Sequence, residues 1–281
     1  MPFIDLETGI RMHYRDDGQG KAILFVAGFS ATVDTWNYQV LDLHNRFRTI
    51  SVDLRGHGDS DKPCSSYTYD EMCGDVRAFL RARDVREVTF VGWSMGAGVG
   101  LNYVTSFDDE RRVSKLVLAG PATPRFKRTP TEPYGIDEPT AAATLEAVRR
   151  GFPETMAAFG GANFHRTDMG ATKEWFLSMW LRQPAYAAYK YFKTLLDEDL
   201  RDRLEQVDVP VLLLHGRHDQ VCSPGWSEYM LPRLRDARLV WFENSGHALM
   251  VEEPDKFSVT VAAFVEDPSR VEGAVRAAVG A

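Results

Sequence analysis

The stretch Val88-Thr-Phe-Val-Gly-Trp-Ser-Met-Gly-Ala-Gly-Val-Gly100 decides the fold of this chain. Its first four residues are β-branched or aromatic, which predicts a short buried strand. Gly92-Trp-Ser-Met-Gly96 follows, and an apolar helical pattern begins at once. A strand, G-x-S-x-G and a helix, in this order, are the context of a nucleophile elbow, a sharp turn that exposes the Ser94 hydroxyl. The alternative is a glycine-rich turn with an incidental serine.

Glycine is expected at positions 92 and 96 for a steric reason. A serine on so sharp a turn has a strained backbone, and side chains two residues before or after it would collide. The amides at the start of the following helix point toward the serine, which suits a negative charge that develops on a nearby oxygen. The stretch therefore predicts that Ser94 is a nucleophile.

Length and charge narrow the class of protein. The 281 residues suit one large α/β domain, or such a domain with an inserted segment, and can bury a sizeable core. The chain has 33 basic and 40 acidic residues, a formal charge of −7, and no basic cluster, which argues against nucleic acid as a partner.

The cysteines and the N-terminal sequence predict the compartment. Cys64, Cys73 and Cys222 have no metal-ligand spacing, so we expect free thiols in a reducing environment and no metal site. The first residues are acidic and no long apolar run occurs in the sequence, which predicts neither a signal peptide nor a membrane span. We therefore expect a cytoplasmic protein.

Strand and helix patterns alternate along most of the chain, which favours a mostly parallel sheet with helices on both faces. Thr68 and Glu71 form a capping box at the start of one amphipathic helix. The predicted strands comprise two within residues 3–15 and six more at 22–27, 48–54, 88–91, 113–119, 209–215 and 238–243. The predicted helices cover residues 35–46 and 68–84, the segment after the elbow, the segment after Pro224, and residues 254–265.

Residues 121–204 interrupt this alternation. They contain no buried strand pattern, and proline and glycine divide them into four helical segments. The sequence thus predicts a core of residues 1–120 and 205–266, a helical lid of residues 121–204, and a tail of residues 267–281 that is either loose or a short helix. The four predicted lid helices are 140–150, 153–159, 172–182 and 185–197.

Candidate functional residues follow three of the predicted strands, at the sheet edge where ligands bind in such folds. Asp219 can orient an imidazole, and His247 can accept a proton from a serine and return it. Gly28-Phe29 allows close backbone approach, and its free amides could complete an oxyanion hole with the amide of Met95. Each has a plain alternative: an acidic turn residue, a solvated loop histidine and an ordinary strand-end turn.

Four motifs together resemble the α/β-hydrolase fold family over nearly the whole chain. They are Gly92-Trp-Ser-Met-Gly96, Asp53-Leu-Arg-Gly-His-Gly-Asp-Ser60, His215-Gly-Arg-His-Asp219 and Ser245-Gly-His247. The order Ser, Asp, His is also the order of that family's triad. The chain is most similar to the cofactor-free esterase, lactonase and non-haem perhydrolase branch, which includes enol-lactone hydrolases.

The resemblance implies an eight-stranded, mostly parallel sheet with a helical lid, and it implies no cofactor or metal. It further implies Ser94 as nucleophile, His247 as base and Asp219 as the residue that orients the base. The backbone amides of Phe29 and Met95 would form the oxyanion hole.

Four features bear on this assignment. The family usually has His-Gly in the oxyanion loop, whereas this chain has Ala27-Gly28, so the loop is expected to be held differently. The serine nucleophile argues against the family's dehalogenases and epoxide hydrolases, which need a carboxylate nucleophile. His57 lies in a loop that the family uses structurally, and Asp53 is an alternative for the acid.

Five apolar residues are candidates for the substrate pocket because they follow the oxyanion loop or lie in the predicted lid. A lid over a sheet must turn some apolar side chains toward the active site, and these select apolar substrates. At helical spacing the same residues could instead pack the core. The candidates are Trp36, Trp175, Met179, Trp180 and Tyr189.

The sequence as a whole predicts a serine hydrolase that cleaves a small, largely apolar carboxylic ester or lactone through an acyl-enzyme. One alternative is a C–C bond hydrolase that acts on ring-cleavage diketones with the same triad. Another is a ligand-sensing protein of the same fold that does not turn over. We expect a small-molecule substrate and neither a nucleic acid nor a membrane as partner, and the sequence leaves the oligomeric state open.

Overall fold

The strands form one eight-stranded sheet in the computed structural model of the protein, which describes residues 2–279. Their order across the sheet is β1-β2-β4-β3-β5-β6-β7-β8. β2 runs antiparallel to both of its neighbours, and the remaining pairs are parallel. This confirms the predicted sheet. The strands are β1 (Phe3–Asp5), β2 (Arg11–Asp17), β3 (Ala22–Val26), β4 (Arg48–Val52), β5 (Val88–Trp93), β6 (Val113–Ala119), β7 (Val211–Gly216) and β8 (Ala237–Phe242).

The predicted helices are all present, with ends that differ by a few residues, and the short helix Leu249–Glu252 was not predicted. The capping box of Thr68 and Glu71 is formed at the start of the second helix, as predicted. The first helix begins later than predicted, because Thr32 caps a 3₁₀ turn at Val33–Trp36 that precedes it. The helices are α1 (Asn37–Leu43), α2 (Tyr69–Ala82), α3 (Met95–Ser106), α4 (Glu138–Arg150), α5 (Phe152–Ala162), α6 (Gly170–Trp180), α7 (Ala185–Asp197), α8 (Gly225–Met230), α9 (Leu249–Glu252), α10 (Pro254–Glu266) and α11 (Val271–Val279). None of these helices has the length and apolar character needed to cross a membrane.

Two apolar cores lie on the two faces of the sheet. Successive side chains of a strand point to opposite faces, so Leu24 belongs to one core and its neighbour Phe25 to the other. Helices α2, α3 and α8 contribute to the first core, and α1, α10 and α11 contribute to the second. Helices on both faces are what the alternating sequence pattern predicted.

The chain between β6 and β7 carries α4 to α7 and, among the described residues, adds no strand to the sheet. Whether this segment is a separate lid with the bounds 121–204 stays a prediction. Residues 268–279 form a 3₁₀ turn and α11, with Val271 buried against the second core, so the helical alternative for the tail is the one found. The last two residues of the predicted tail lie outside the described part of the chain.

Trp36 is a core residue rather than a pocket residue, which corrects the first of the five pocket candidates. Its side chain is fully buried, and its ring lies 4.9 Å from the ring of Phe25 and 6.1 Å from that of Phe257, measured between centroids. It therefore packs between β3 and α10.

Replacing Trp36 by alanine should lower the free energy of unfolding by about 3–5 kcal/mol, because a large buried ring leaves a cavity between strand and helix. Urea denaturation at equilibrium measures this loss. The matched control is Leu41→Ala on α1, whose side chain is 66% exposed and whose removal should change stability by at most about 0.5 kcal/mol. Equal losses for the two variants would contradict the packing described for Trp36.

Candidate active site

Ser94 lies on the turn between β5 and α3 with φ 56° and ψ −119°, a left-handed conformation that costs a residue with a Cβ. Glycine is needed on both sides. A Cβ at Gly92 would come within 2.3 Å of the Gly96 carbonyl oxygen, as the elbow prediction requires. A Cβ at Gly96 would instead meet the Val26 carbonyl oxygen at 2.3 Å, because α3 starts directly against the end of β3.

Asp219 and His247 meet at the same edge of the sheet, from the loops that follow β7 and β8. Oδ2 of Asp219 lies 2.8 Å from Nδ1 of His247. Oδ1 of Asp219 accepts hydrogen bonds of 2.8 Å from the amides of Val221 and Cys222. Both side chains are buried. The carboxylate is thus fixed by its own loop and can hold the imidazole in one orientation.

The protonation state of this pair follows from its contacts. Burial by itself would raise the pKa of Asp219, but the charge and hydrogen bonds of His247 and His215 outweigh it and lower the pKa well below its usual range. An ionised Asp219 accepts the Nδ1 proton of His247, so in the neutral form of this ring the lone pair is on Nε2. The contact with Asp219 therefore favours the neutral tautomer that a general base needs.

Gly120 and Trp93 complete the surroundings of His247. A Cβ at Gly120, whose φ is +46°, would lie 3.1 Å from Nδ1 of His247 and 3.4 Å from Oδ2 of Asp219. The indole Nε1 of Trp93 donates a 2.9 Å hydrogen bond to the carbonyl oxygen of His247. The residue beside the candidate nucleophile thus anchors the candidate base. The elbow motif leaves position 93 unspecified, so the sequence offered no signal for this role.

Residues 28–31, which contain the predicted oxyanion-hole residue Phe29 and are called the oxyanion loop below, approach the elbow closely. A Cβ at Gly28 would lie 2.7 Å from Cβ of Ser94 and 3.2 Å from its Oγ. No hydrogen bond within residues 2–279 uses the amide of Phe29 or that of Met95 as a donor. The first amides of a helix have no partner within the helix, so Met95 at the start of α3 is free to donate. Both amides are thus without an acceptor among residues 2–279.

A narrow, mostly apolar cavity with a free volume of about 40 Å³ opens at this point. Ser94 and His247 both line it, which brings the candidate nucleophile and base to one space. Helices α5, α6 and α7 supply much of its wall, and Trp93 and Asn163 add polar groups. The other lining residues are Phe29, Ala122, Phe126, Met156, Phe159, Trp180, Phe192, Leu195 and Val221.

Of the five pocket candidates, Trp180 lines this cavity. Met179 is buried in the second core, on the same helix, and Trp175 packs on that core with its ring against Phe176 and Tyr38. Tyr189 is half-buried against the second core as well. These three, like Trp36, do not contribute to the cavity wall.

Glu252 is a buried residue that the sequence analysis missed. Its Oε1 accepts 2.8 Å hydrogen bonds from the amides of His165 and Arg166, and its Oε2 accepts a 2.7 Å bond from the amide of Gly246. Burial raises the pKa of this carboxyl. The side chain therefore ties the loop of His247 to the segment between β6 and β7. The groups that donate to Glu252 are backbone amides, which every residue type except proline has, so no sequence pattern predicts this role.

One cluster among the described residues has metal-ligand side chains, namely His13, Asp53 and Asp59. Both carboxylates of the cluster are already engaged. Asp53 contacts Nδ1 of His13 at 2.6 Å and accepts from the amides of Val33 and Asp59 at 2.8 and 3.0 Å, and Asp59 pairs with Arg182. The bonds of Asp53 hold the loops after β3 and β4 together. Asp53, the alternative acid, thus pairs with His13 rather than with His247.

A model of the alpha/beta hydrolase family matches residues 23–259. The chain belongs to this family. The AB hydrolase superfamily protein YisY of Bacillus subtilis is 32% identical over 263 residues, which cover 93% of this chain and 98% of YisY. A non-heme haloperoxidase of Rhodococcus erythropolis is 30% identical over 275 residues, which cover 95% of this chain and 100% of the relative.

A solved esterase structure from Exiguobacterium antarcticum is similar to this alpha/beta hydrolase with a TM-score of 0.91 and 32% sequence identity. The match covers 94% of this chain and 99% of the esterase. Family, fold and relatives together support an esterase-type hydrolase. Members of this family act through a serine on such an elbow and through an acid and a histidine that lie at the same edge of the sheet.

Proposed function

We propose that this hydrolase cleaves small, largely apolar carboxylic esters or lactones through an acyl-enzyme on Ser94. The observation that carries the proposal is the 2.8 Å contact between Asp219 and His247 beside a cavity that Ser94 also lines. A serine at a strained elbow, a base with a free Nε2 and an orienting carboxylate are the parts that acyl transfer needs.

In the first half-reaction the Ser94 oxygen attacks the substrate carbonyl carbon, and its proton passes to Nε2 of His247. The carbonyl oxygen becomes an oxyanion, to which the amides of Phe29 and Met95 donate. When the carbonyl re-forms, the bond to the alcohol oxygen breaks, and His247 transfers its proton to that oxygen. An alcohol, or the open end of a lactone, is released from the carbonyl, and the acyl group stays on Ser94.

In the second half-reaction water takes the place of the serine hydroxyl. His247 removes a proton from water, the hydroxide attacks the acyl carbon, and the same two amides hold the oxyanion. The bond to Ser94 then breaks, and His247 returns the proton to the serine oxygen. The products are a carboxylic acid and the free enzyme.

The cavity supports a small and apolar substrate. A water molecule needs about 10–15 Å³ on the same measure, so a free volume of about 40 Å³ takes a group of only a few heavy atoms. Aromatic rings of Phe29, Phe159 and Phe192 line it. Charged groups would lose their hydration against such walls without a partner.

The function is tested with purified protein and Ser94→Ala on a panel of p-nitrophenyl esters from acetate to octanoate, γ- and δ-lactones, and a ring-cleavage diketone. We expect repeated turnover of short esters or lactones that Ser94→Ala abolishes. Turnover of the diketone alone would favour the C–C bond hydrolase instead. One slow turnover that leaves a lasting adduct would favour the ligand sensor.

Trp180→Ala is expected to change the ranking of ester substrates by acyl length, because it removes a ring from the cavity wall. The lost apolar contact is worth about 1–3 kcal/mol, which moves discrimination by about 10- to 100-fold. The measurement is kcat/KM over the graded ester series. The rate at which a small fluorophosphonate labels Ser94 should change by no more than a few fold.

Trp175→Ala is the matched control, since this tryptophan lies on the same helix but packs away from the cavity. It should retain the wild-type ranking of esters. If Trp180→Ala also retains it, or if Trp175→Ala shifts it as much, the cavity does not select the acyl group.

A further inference from the structure

The residue after Phe29 has a backbone conformation that needs external support. Ser30 has φ 59°, in the left-handed region, although it carries a Cβ. It is also buried. Because Phe29 supplies one amide of the proposed oxyanion hole, the direction of that amide depends on how residue 30 is held. The hydrogen bond from the Ala31 amide to the Gly28 carbonyl, 3.1 Å long, closes the loop but does not anchor it elsewhere.

Two buried side chains anchor Ser30 from outside the loop. Its amide donates a 3.0 Å hydrogen bond to Nε2 of His57. Its hydroxyl donates a 2.5 Å hydrogen bond to Oε1 of Gln183. Gln183 in turn donates from Nε2 to the carbonyl oxygen of Gly56, at 3.3 Å. The oxyanion loop is therefore fastened both to the loop after β4 and to the segment between β6 and β7.

The contacts of His57 leave its Nε2 as a hydrogen-bond acceptor and not a donor. Its Nδ1 lies 3.2 Å from the carbonyl oxygen of Arg55, so the ring proton resides on Nδ1. The ring of Tyr191 packs on it with 4.5 Å between centroids. Burial lowers the pKa of His57 to about 4, so the ring is neutral at neutral pH. A neutral ring with this tautomer can accept the Ser30 amide proton.

We propose that His57 and Gln183 are positioning residues that hold the oxyanion loop so that the Phe29 amide points at the oxyanion. The proposal rests on the ester hydrolysis proposed above. His57 lies outside the cavity wall, so it acts through Ser30 and not on the substrate. The support of Ser30 by His57 and Gln183 also explains how the loop is held in this chain, which has Ala27 where the family usually has a histidine before Gly28.

The test compares two substitutions at His57 that separate hydrogen bonding from packing. His57→Phe retains a ring against Tyr191 and removes the acceptor for the Ser30 amide. His57→Gln removes the ring and retains an oxygen at about the reach of Nε2. A packing role predicts that the phenylalanine variant is the more active, and the positioning role predicts that the glutamine variant is.

We expect His57→Phe to lower kcat for a short p-nitrophenyl ester by about 10- to 100-fold, less than the loss seen when an oxyanion donor is removed outright. KM should change little, because the oxyanion exists only in the transition state. His57→Gln should recover most of the lost activity. The rate of Ser94 phosphonylation by a fluorophosphonate should fall with kcat, since that reaction also places negative charge at the hole.

Gln183→Met supplies a second test should His57→Phe fail to fold. It keeps the length of the side chain but offers the Ser30 hydroxyl no strong acceptor, so kcat should fall with KM nearly unchanged. Wild-type kcat in folded His57→Phe and in folded Gln183→Met would overturn the inference. Greater activity in His57→Phe than in His57→Gln would overturn it as well. If the wild-type protein reacts with the fluorophosphonate but hydrolyses no ester, the proposed function fails, and the phosphonylation rates still decide the role of His57.

Discussion

Replacing Ser94 by alanine should lower kcat for ester hydrolysis by about 10⁴- to 10⁶-fold, because the nucleophile of the proposed acyl-enzyme is lost. The fold should remain intact. The backbone of Ser94 is held by hydrogen bonds from its amide to the Ala119 carbonyl and from the Ala122 amide to its own carbonyl, 2.9 and 3.1 Å long. These bonds do not involve the hydroxyl. Steady-state kinetics on the purified variant, with a thermal melt to verify folding, give the measurement.

The control is Ser269→Ala, an exposed serine near the end of α10 and far from the sheet edge, which should leave kcat unchanged.

His247→Ala should lower kcat nearly as much as Ser94→Ala. The double variant should be no worse than either single one, because nucleophile and base act as a unit. An unchanged rate in Ser94→Ala, or losses that multiply in the double variant, would show that the two residues do not form one catalytic group.

Asp219→Asn is expected to lower kcat by about 10²- to 10⁴-fold through the tautomer of His247. The amides of Val221 and Cys222 both donate to Oδ1 of Asp219. An asparagine would therefore place its oxygen there and turn its NH₂ toward Nδ1 of His247. A donor at that point forces the imidazole proton onto Nε2, where it blocks acceptance of the Ser94 proton. The measurement is kcat at a pH where the wild-type rate is constant.

Asp53→Asn is the matched control, a buried aspartate that also contacts a histidine ring but lies outside the cavity wall. It should lower stability, because Asp53 joins the loops after β3 and β4, and should leave kcat within a few fold at equal folded fraction. If Asp53→Asn proves the more damaging to kcat, the acid has been assigned to the wrong carboxylate.

Local chemistry explains how much of this protein its sequence predicts. The strand, elbow and helix around Ser94 follow from the periods of apolar residues and from the steric need for glycine, which act over a few neighbouring positions. The capping box of Thr68 likewise involves residues only three positions apart. Asp219 and His247 lie more than 100 residues from Ser94, yet their convergence was predictable because parallel strands end at one edge of a sheet.

Local sequence patterns do not predict which of the buried aromatic residues line the cavity and which pack the core. An apolar helical pattern identifies the face that avoids water but not what that face meets. Trp36 packs between Phe25 and Phe257, whereas Trp180 reaches the cavity beside Ser94. Both are equally apolar in the sequence, so only the relative placement of β3, α6 and α10 separates core from pocket.

The support of the oxyanion loop was decided by the tertiary structure as well. Ser30 and His57 meet because they follow β3 and β4, which pair side by side in the sheet. Gln183 reaches the same serine from 153 positions away. The order of the strands and the packing of a distant helical segment bring these groups together. Neither can be recognised from the periodicity or the composition of the sequence. The sequence by itself thus determines the fold and the residues proposed for the chemistry, while only the packing of distant segments determines the cavity wall and how the oxyanion loop is held.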